Sequence, residues 1–230
     1  MVVLDPIEPT TLSESRHGLR LLGVQTGEAL PVAHDEVWIH RSVTHAVTGT
    51  DRFVLCKVGR GFTPLVCFAG SRRAWASNAW KLLASTREGL IAAIDRTIGR
   101  LSPETGDTAA TARHDAREIV SAHVAGDTVV LRNYSDLVGL DAVDLSERWR
   151  LPAPVDEPLV FGTGDAVLLV GTRRRGRRRK EVVSLDPTTG EERSRLELKG
   201  VARTDLAPTP MAGSLVFGAR DGAATLVVVS

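Results

Sequence analysis

Aromatic side chains are scarce: five Phe, four Trp and one Tyr make up 4% of the 230 residues. A core poor in large rings, in a chain where 21 Gly and 11 Pro are scattered, suits many short strands joined by tight turns better than large packed helices. Cysteine is rarer still. Cys56 and Cys67 are spaced too widely for a Cys-x-x-Cys metal or redox site. Two reduced core thiols are the expected state, although neighbouring strands would also permit a disulfide. No apolar run approaches the roughly 20 residues of a membrane span, so no membrane span is expected. The start, Met1-Val2-Val3-Leu4-Asp5, has neither a basic segment nor an apolar stretch of export length, which predicts a cytoplasmic protein if that start is genuine. One-sided charge is absent as well. With 29 basic and 28 acidic residues the net charge is +1, and 43% hydrophobic content is enough to bury a substantial core.

What is present is repetition. Val182-Val183-Ser184-Leu185 has the composition of a half-buried strand, and Asp186-Pro187-Thr188-Thr189-Gly190 supplies its turn. The Asp186 carboxylate is placed to accept backbone N–H groups a few residues on, Pro187 presets φ, and Gly190 tolerates positive φ. Similar strands end at Asp5, Asp95 and Asp141. Asp141 follows Asp95 by 46 residues, Asp186 follows Asp141 by 45, and the 90 between Asp5 and Asp95 leave room for one degenerate copy. A second landmark, a Gly, Asp or Asn turn followed by an apolar strand, recurs after Asp35, Asn78, Asp127, Asp165 and Gly213. A period near 45 residues with several short strands per copy is the pattern of propeller blades. The expectation is an all-β fold, a small β-propeller of about five four-stranded blades. It forms a single domain over 1–230, closed by pairing of the N- and C-terminal strands.

The pattern of a turn, Val-x-Val, a short hairpin, then Leu-x-x-Leu-Asp-x-x-Thr-Gly-x-x-x-Trp resembles the pyrroloquinoline-quinone-like propeller repeat. Its best copies are 137–149 and 182–194, with Trp149 in the docking-tryptophan slot and Ser194 in that slot of the next copy. The family includes quinoprotein dehydrogenases as well as sensor and scaffold proteins, so the resemblance implies fold more than activity. Members that bind the quinone use more blades, adjacent cysteines and a calcium-binding carboxylate-amide set. Cys56 and Cys67 are not adjacent and that set has no counterpart here, so no cofactor is expected.

Taken in order, 1–30 has the weakest pattern, with strands at 2–4 and 19–24. Blades are expected at 31–60, 63–103, 117–152 and 159–199, with a terminal blade from 213. The stretch 105–116 reads as a polar inter-blade loop with room for a short helix. Innermost strands are expected at 30–33, 64–68, 119–122, 159–161 and 208–211. These are mainly apolar, which disfavours a charged catalytic channel.

Charge is concentrated at one place. Arg173, Arg174, Arg175, Arg177, Arg178, Arg179 and Lys180 are seven basic residues in eight, in an enlarged hairpin at 171–181. Without them the chain has 22 basic against 28 acidic residues. Such a loop is either a solvated face or a contact for an acidic protein partner, for nucleic acid or for phosphate. No aromatics are interleaved, so base stacking is not expected.

His34, His40 and His45 cluster near Asp35 and Glu36, but strand alternation sets His40 beside Trp38 and opposite Ile39, so convergence on a metal is not required. His34, His40 and His114 are the candidates for a hydrolase or lyase site at one mouth of the propeller, with loop residues near His34, His114, Asp156 and Asp205 as rim contributors, and His114-Asp115 with His123 as candidates for a polar pocket. No Ser or Cys nucleophile with an orienting base accompanies them. Asn133-Tyr134-Ser135 matches a glycosylation acceptor by chance in a chain lacking an export signal. The reading that follows is a non-catalytic scaffold or protein-interaction module.

Overall fold

The computed structural model describes residues 2–6, 17–22, 29–30, 42–48, 52–58, 65–69, 72–173, 179–198, 209–211, 214–218 and 224–228. All regular structure among them is antiparallel β, in six sheets that follow chain order without a crossover. The chain divides into two compact units, Met1–Ala116 and Arg117–Ser230, with three sheets in each.

In the first unit, the first sheet holds β1 (Val2–Pro6), β2 (His17–Leu22) and β3 (Ala29–Leu30). The second holds β4 (Ser42–Thr48), β5 (Arg52–Val58), β6 (Leu65–Ala69) and β7 (Arg72–Ser77). The third holds β8 (Lys81–Ser85), β9 (Leu90–Ile94), β10 (Thr97–Leu101) and β11 (Thr108–Ala112). In the second unit, the fourth sheet holds β12 (Ser121–Ala125), β13 (Thr128–Arg132), β14 (Asp136–Asp141) and β15 (Glu147–Pro152). The fifth holds β16 (Val155–Gly162), β17 (Val167–Arg173), β18 (Lys180–Leu185) and β19 (Glu192–Leu198). The sixth holds β20 (Thr209–Met211), β21 (Ser214–Gly218) and β22 (Ala224–Val228).

Burial within a four-stranded sheet follows strand position. The middle strands are the most apolar and most buried: 90–93 are fully buried, as are 129–131. The fourth strands are more polar and more exposed, apart from the buried Trp75 and Trp149. Glu192 to Leu196 are all exposed in β19. The cores form between consecutive sheets. In the second unit Val130, Leu137 and Trp149 of the fourth sheet pack with Val155, Val160, Val167, Leu169 and Val183 of the fifth. In the first unit Leu65, Cys67 and Trp75 pack with Leu82, Leu90, Ala92 and Leu101.

Three expectations are corrected. Residues 64–68 are not a first strand, because Leu65–Ala69 is the third strand of its sheet. The Gly-rich, Pro-ended stretch 59–64 separates β5 from β6 within one sheet, and turn chemistry does not distinguish a hairpin from a passage between sheets. The blade boundaries at 31–60 and 63–103 are therefore displaced: the sheets span 42–77 and 81–112. The loop expected at 105–116 contains β11, an exposed Thr/Ala strand whose polarity reflects its outer position. The repeat slot is also reassigned. Asp141 and Asp186 end third strands, whereas Asp95 joins second to third strand with φ of 52° and Asp5 lies within a first strand. In the third sheet the slot belongs to Ser102.

Candidate functional site

The turns after the third strands of the third, fourth and fifth sheets are built alike. In the fifth sheet the Asp186 Oδ1 accepts from Thr188 N at 2.7 Å and Thr189 N at 2.9 Å, and Gly190 N donates to the Asp186 carbonyl at 2.9 Å. In the fourth, Asp141 Oδ1 accepts from Val143 N at 2.7 Å, and Leu145 N donates to the Asp141 carbonyl at 3.0 Å. In the third, Ser102 Oγ replaces the carboxylate, accepting from Glu104 N at 3.2 Å and Thr105 N at 3.3 Å, with Gly106 N on the Ser102 carbonyl at 2.9 Å. Ser102-Pro103-Glu104-Thr105-Gly106 is thus Asp186-Pro187-Thr188-Thr189-Gly190 with a hydroxyl in place of a carboxylate. A search anchored on Asp passes over it.

Two of those turns, in the third and fifth sheets, seat a tryptophan from the preceding sheet. Trp149 Nε1 donates to the Pro187 carbonyl at 2.7 Å, and Trp75 Nε1 donates to the Pro103 carbonyl at 3.0 Å. Each indole lies flat on the fifth residue of the turn. A Cβ on Gly190 would stand 2.8 Å from Trp149 Cδ2, and one on Gly106 would stand 2.6 Å from Trp75 Cε3. Both tryptophans occupy the same ladder position, where the third and fourth strands change register: Trp75 faces Cys67, and Trp149 faces Gly139. The corresponding residues of the third and fifth sheets are Ala110 and Ser194.

The fourth and fifth sheets share more. Glu147-Arg148-Trp149-Arg150-Leu151 and Glu192-Arg193-Ser194-Arg195-Leu196 differ at one position, and their contacts repeat. Arg148 bonds Asp127 at 2.7 Å and Asp141 at 2.6 Å, while Arg193 bonds the Asp165 carbonyl at 2.6 Å and Asp186 at 2.6 Å. Arg150 pairs with Glu147, and Arg195 with both Glu192 and the buried Glu181. These clamps tie the outer strand to two turns of its own sheet. They hold the Asp127 carboxyl below the usual range through its bonds from Arg148. Asp186 is held low by the Thr189 N–H first and Arg193 second.

A half-buried polar cluster lies between the fourth and fifth sheets. His123 of β12 and Arg132 of β13 share a face, since Ser121 is opposite Arg132 and His123 opposite Val130. The His123 ring lies 6.5 Å from that of Phe161 at 50°. Burial, with the Arg132 charge adding to it, lowers the His123 pKa to about 4. Arg132 Nη1 donates to the Pro158 carbonyl, whereas its Nε and the Asn133 Oδ1 find no hydrogen-bond partner within the chain.

Of the other residues singled out from sequence, seven have no described position. His34, His40, Asp205, Arg174, Arg175, Arg177 and Arg178 lie outside the described residues. His45 is in β4 opposite Leu55. His114 follows β11, with its N–H on the Ala112 carbonyl at 3.1 Å, and Asp156 is exposed in β16. Arg173 ends β17 and Lys180 opens β18 opposite Thr172. Arg179 binds Glu197 at 2.5 Å. Cys67 is a buried thiol not joined in a disulfide. Among the described residues no three His, Cys, Asp or Glu side chains gather as metal ligands, and no helix is long and apolar enough to cross a membrane.

No family model and no curated protein matches the chain. Solved structures do. BamB from Moraxella catarrhalis is similar at 18% identity and a TM-score of 0.59, over 94% of this chain and 67% of that one. The computationally designed Ika8 protein is similar at 15% identity and 0.66, over 96% and 70%. The C-terminal WD40 domain of Sif2 is similar at 13% identity and 0.61, over 94% and 66%. Such identities speak to fold alone. Together with the four-stranded antiparallel sheets in chain order, they make this chain an all-β protein of the β-propeller kind.

Proposed function

We propose that this chain is a β-propeller of the pyrroloquinoline-quinone-like repeat kind that works as a non-catalytic protein-interaction module. Its contact surface is the outer part of the fifth sheet, and its partner is acidic. The observation that carries this reading is the density of cationic groups on a rigid root. Seven basic residues run from the end of β17 to the start of β18, two strands held in continuous register from Val167↔Leu185 to Thr172↔Lys180. Beside them runs β19, exposed from Glu192 to Leu196, with Leu196 47% exposed among charged neighbours. An exposed apolar residue rimmed by charge is the composition of an interaction patch.

The test compares the native chain with a variant carrying Ser at the seven basic positions. Both are used for capture from lysate, and affinity for a poly-glutamate peptide is measured at two ionic strengths. The reading expects a defined protein partner and peptide binding that the variant loses and that salt weakens. Equal capture by both versions overturns it. Capture that disappears on nuclease treatment instead assigns the hairpin to nucleic acid, with the steep salt dependence of phosphate contacts.

A further inference from the structure

The chain has one tyrosine, and the fold leaves it in water. Tyr134 is 84% exposed at the tip of the hairpin between β13 and β14, whose turn is closed by Asn133 N donating to the Asp136 carbonyl at 2.9 Å. At the base of the same hairpin Val120 N donates to the Arg132 carbonyl at 2.8 Å, and the Val120 side chain is 36% exposed. A single exposed apolar residue is ordinary. Here a second one stands beside the hairpin that carries the first.

Topology decides what else shares that end of the second unit. The fourth and fifth sheets run in step: Gly126 N donates to the Thr163 carbonyl at 3.1 Å, which joins the turns after their first strands. Their hairpins between second and third strands therefore both rise from the opposite end. One carries Tyr134, and the other is the basic hairpin rooted at Arg173 and Lys180. The two are linked through backbone. Ala153 N donates to the Ser135 carbonyl at 3.0 Å, Val155 follows two residues later, and Val155 pairs with Arg173. That path is at most about 25 Å long, the span of an extended segment of about seven residues.

Tyrosine and arginine are the side chains most often found to anchor protein interfaces, with the ring supplying area at low entropic cost and the guanidinium supplying charge-assisted hydrogen bonds. Nucleic acid fits this end less well. Asp156 and Glu157 are exposed at the start of β16, beside Val155 on the path between the two hairpins. A phosphate backbone carries charge at every residue and would cross those carboxylates, whereas a peptide can set neutral residues there. Stacking along a strand also needs a row of aromatics, and Tyr134 is the one exposed aromatic among the described residues.

Resting on the acidic-partner reading above, we propose that this end of the second unit is a two-part docking surface for an acidic protein segment, in which Tyr134 with Val120 takes an apolar residue of the segment and the basic hairpin takes its carboxylates.

The experiment uses the full chain and isothermal titration calorimetry with two peptides of equal charge, poly-glutamate alone and poly-glutamate extended by Leu-Trp at each end. The extended peptide is expected to bind about tenfold more tightly. Tyr134→Ser, a surface change that leaves the fold intact, should erase that gain while poly-glutamate affinity stays within about twofold. Equal binding of the two peptides, or a gain that survives in Tyr134→Ser, overturns the two-part surface and leaves the acidic-partner reading standing. Binding of neither peptide overturns both. Binding of single-stranded oligothymidylate that Tyr134→Ser weakens, with no gain for the extended peptide, assigns this end to nucleic acid instead.

Discussion

The indole Nε1 of Trp149 reaches 38 residues along the chain to the Pro187 carbonyl, and the ring rests on Gly190. One strand thus donates both a hydrogen bond and a large apolar face to a turn of the following sheet. Trp75 does the same to Pro103 and Gly106 in the other unit.

Truncating this joint should be among the costliest single changes in the second unit. Trp149→Ala removes a side chain that is 8% exposed, and an aromatic-to-alanine change in a core costs about 3–5 kcal/mol. Trp149→Phe keeps most of the packing but leaves the Pro187 carbonyl without its donor, a loss of about 1–2 kcal/mol. Urea unfolding should show lowered midpoints in that order with similar slopes.

Glycine is needed at the seat for two separate reasons, conformation and space. Gly190 has φ of 74°, and an added Cβ would press on Trp149 and Leu151. Gly190→Ala should cost more than the roughly 1 kcal/mol of a left-handed alanine alone, and Gly106→Ala should behave alike. Asp95→Gly is the control. Asp95 is exposed with φ of 52°, so glycine there should be neutral or stabilising by up to about 1 kcal/mol in thermal unfolding.

The arginine clamps differ in burial, and their worth should follow. Arg148 is 19% exposed and Arg193 is 46% exposed. Arg148→Met should cost about 1 kcal/mol and Arg193→Met a fraction of that. Arg148 depresses the Asp127 carboxyl, and Asp141 is held low by the Val143 N–H first and by Arg148 second, so the contribution of Arg148 is present above their ordinary range and fades as pH falls through the lowered values. Stability measured at pH 3 and pH 7 should show a smaller Arg148→Met penalty at pH 3 than at pH 7.

His123 gives a pH dependence of its own at a higher window. The folded chain binds its proton only near pH 4, whereas an unfolded histidine does so near 6.5. As pH falls through 6.5 the unfolded state takes up the proton first, so stability declines from about pH 6.5 to about pH 4 and levels off below. The full difference is about 3 kcal/mol. His123→Gln should flatten this segment of the curve. An unchanged slope would mean that the ring is more hydrated than its packing against Phe161 implies.

The all-β class and the four-stranded unit were legible because strand composition and turn chemistry are local, and the docking role of Trp149 came from the resemblance to the propeller repeat. The Asp186 turn is hydrogen-bonded as its residues require. What stayed hidden was the level at which each turn operates. Asp95 and Asp186 look alike in sequence, yet one sits between second and third strands and the other between third and fourth. Ser102 does the work of Asp186 with a different side chain. The Glu-Arg-x-Arg-Leu repeat at 147–151 and 192–196 was missed, and its clamps are formed with Asp127, Asp141 and Asp165, which lie on other turns. The Arg132 cluster depends on a bulge at Glu157 and Pro158, and no residue pattern announces a skip in register.

The tryptophan joints also say which piece of this chain is interchangeable. Trp75 and its seat link the second sheet to the third, and Trp149 and its seat link the fourth to the fifth. Ala110 closes the third sheet, directly before the division at Ala116, and the fourth sheet's turn has Ala142 and Leu145 where a seat would have proline and glycine. Among the described residues plug and socket thus lie within two pairs of sheets, the second with the third and the fourth with the fifth. A duplication, deletion or graft that respects those pairs keeps Trp75 and Trp149 with their own seats, while a cut through a pair strands one.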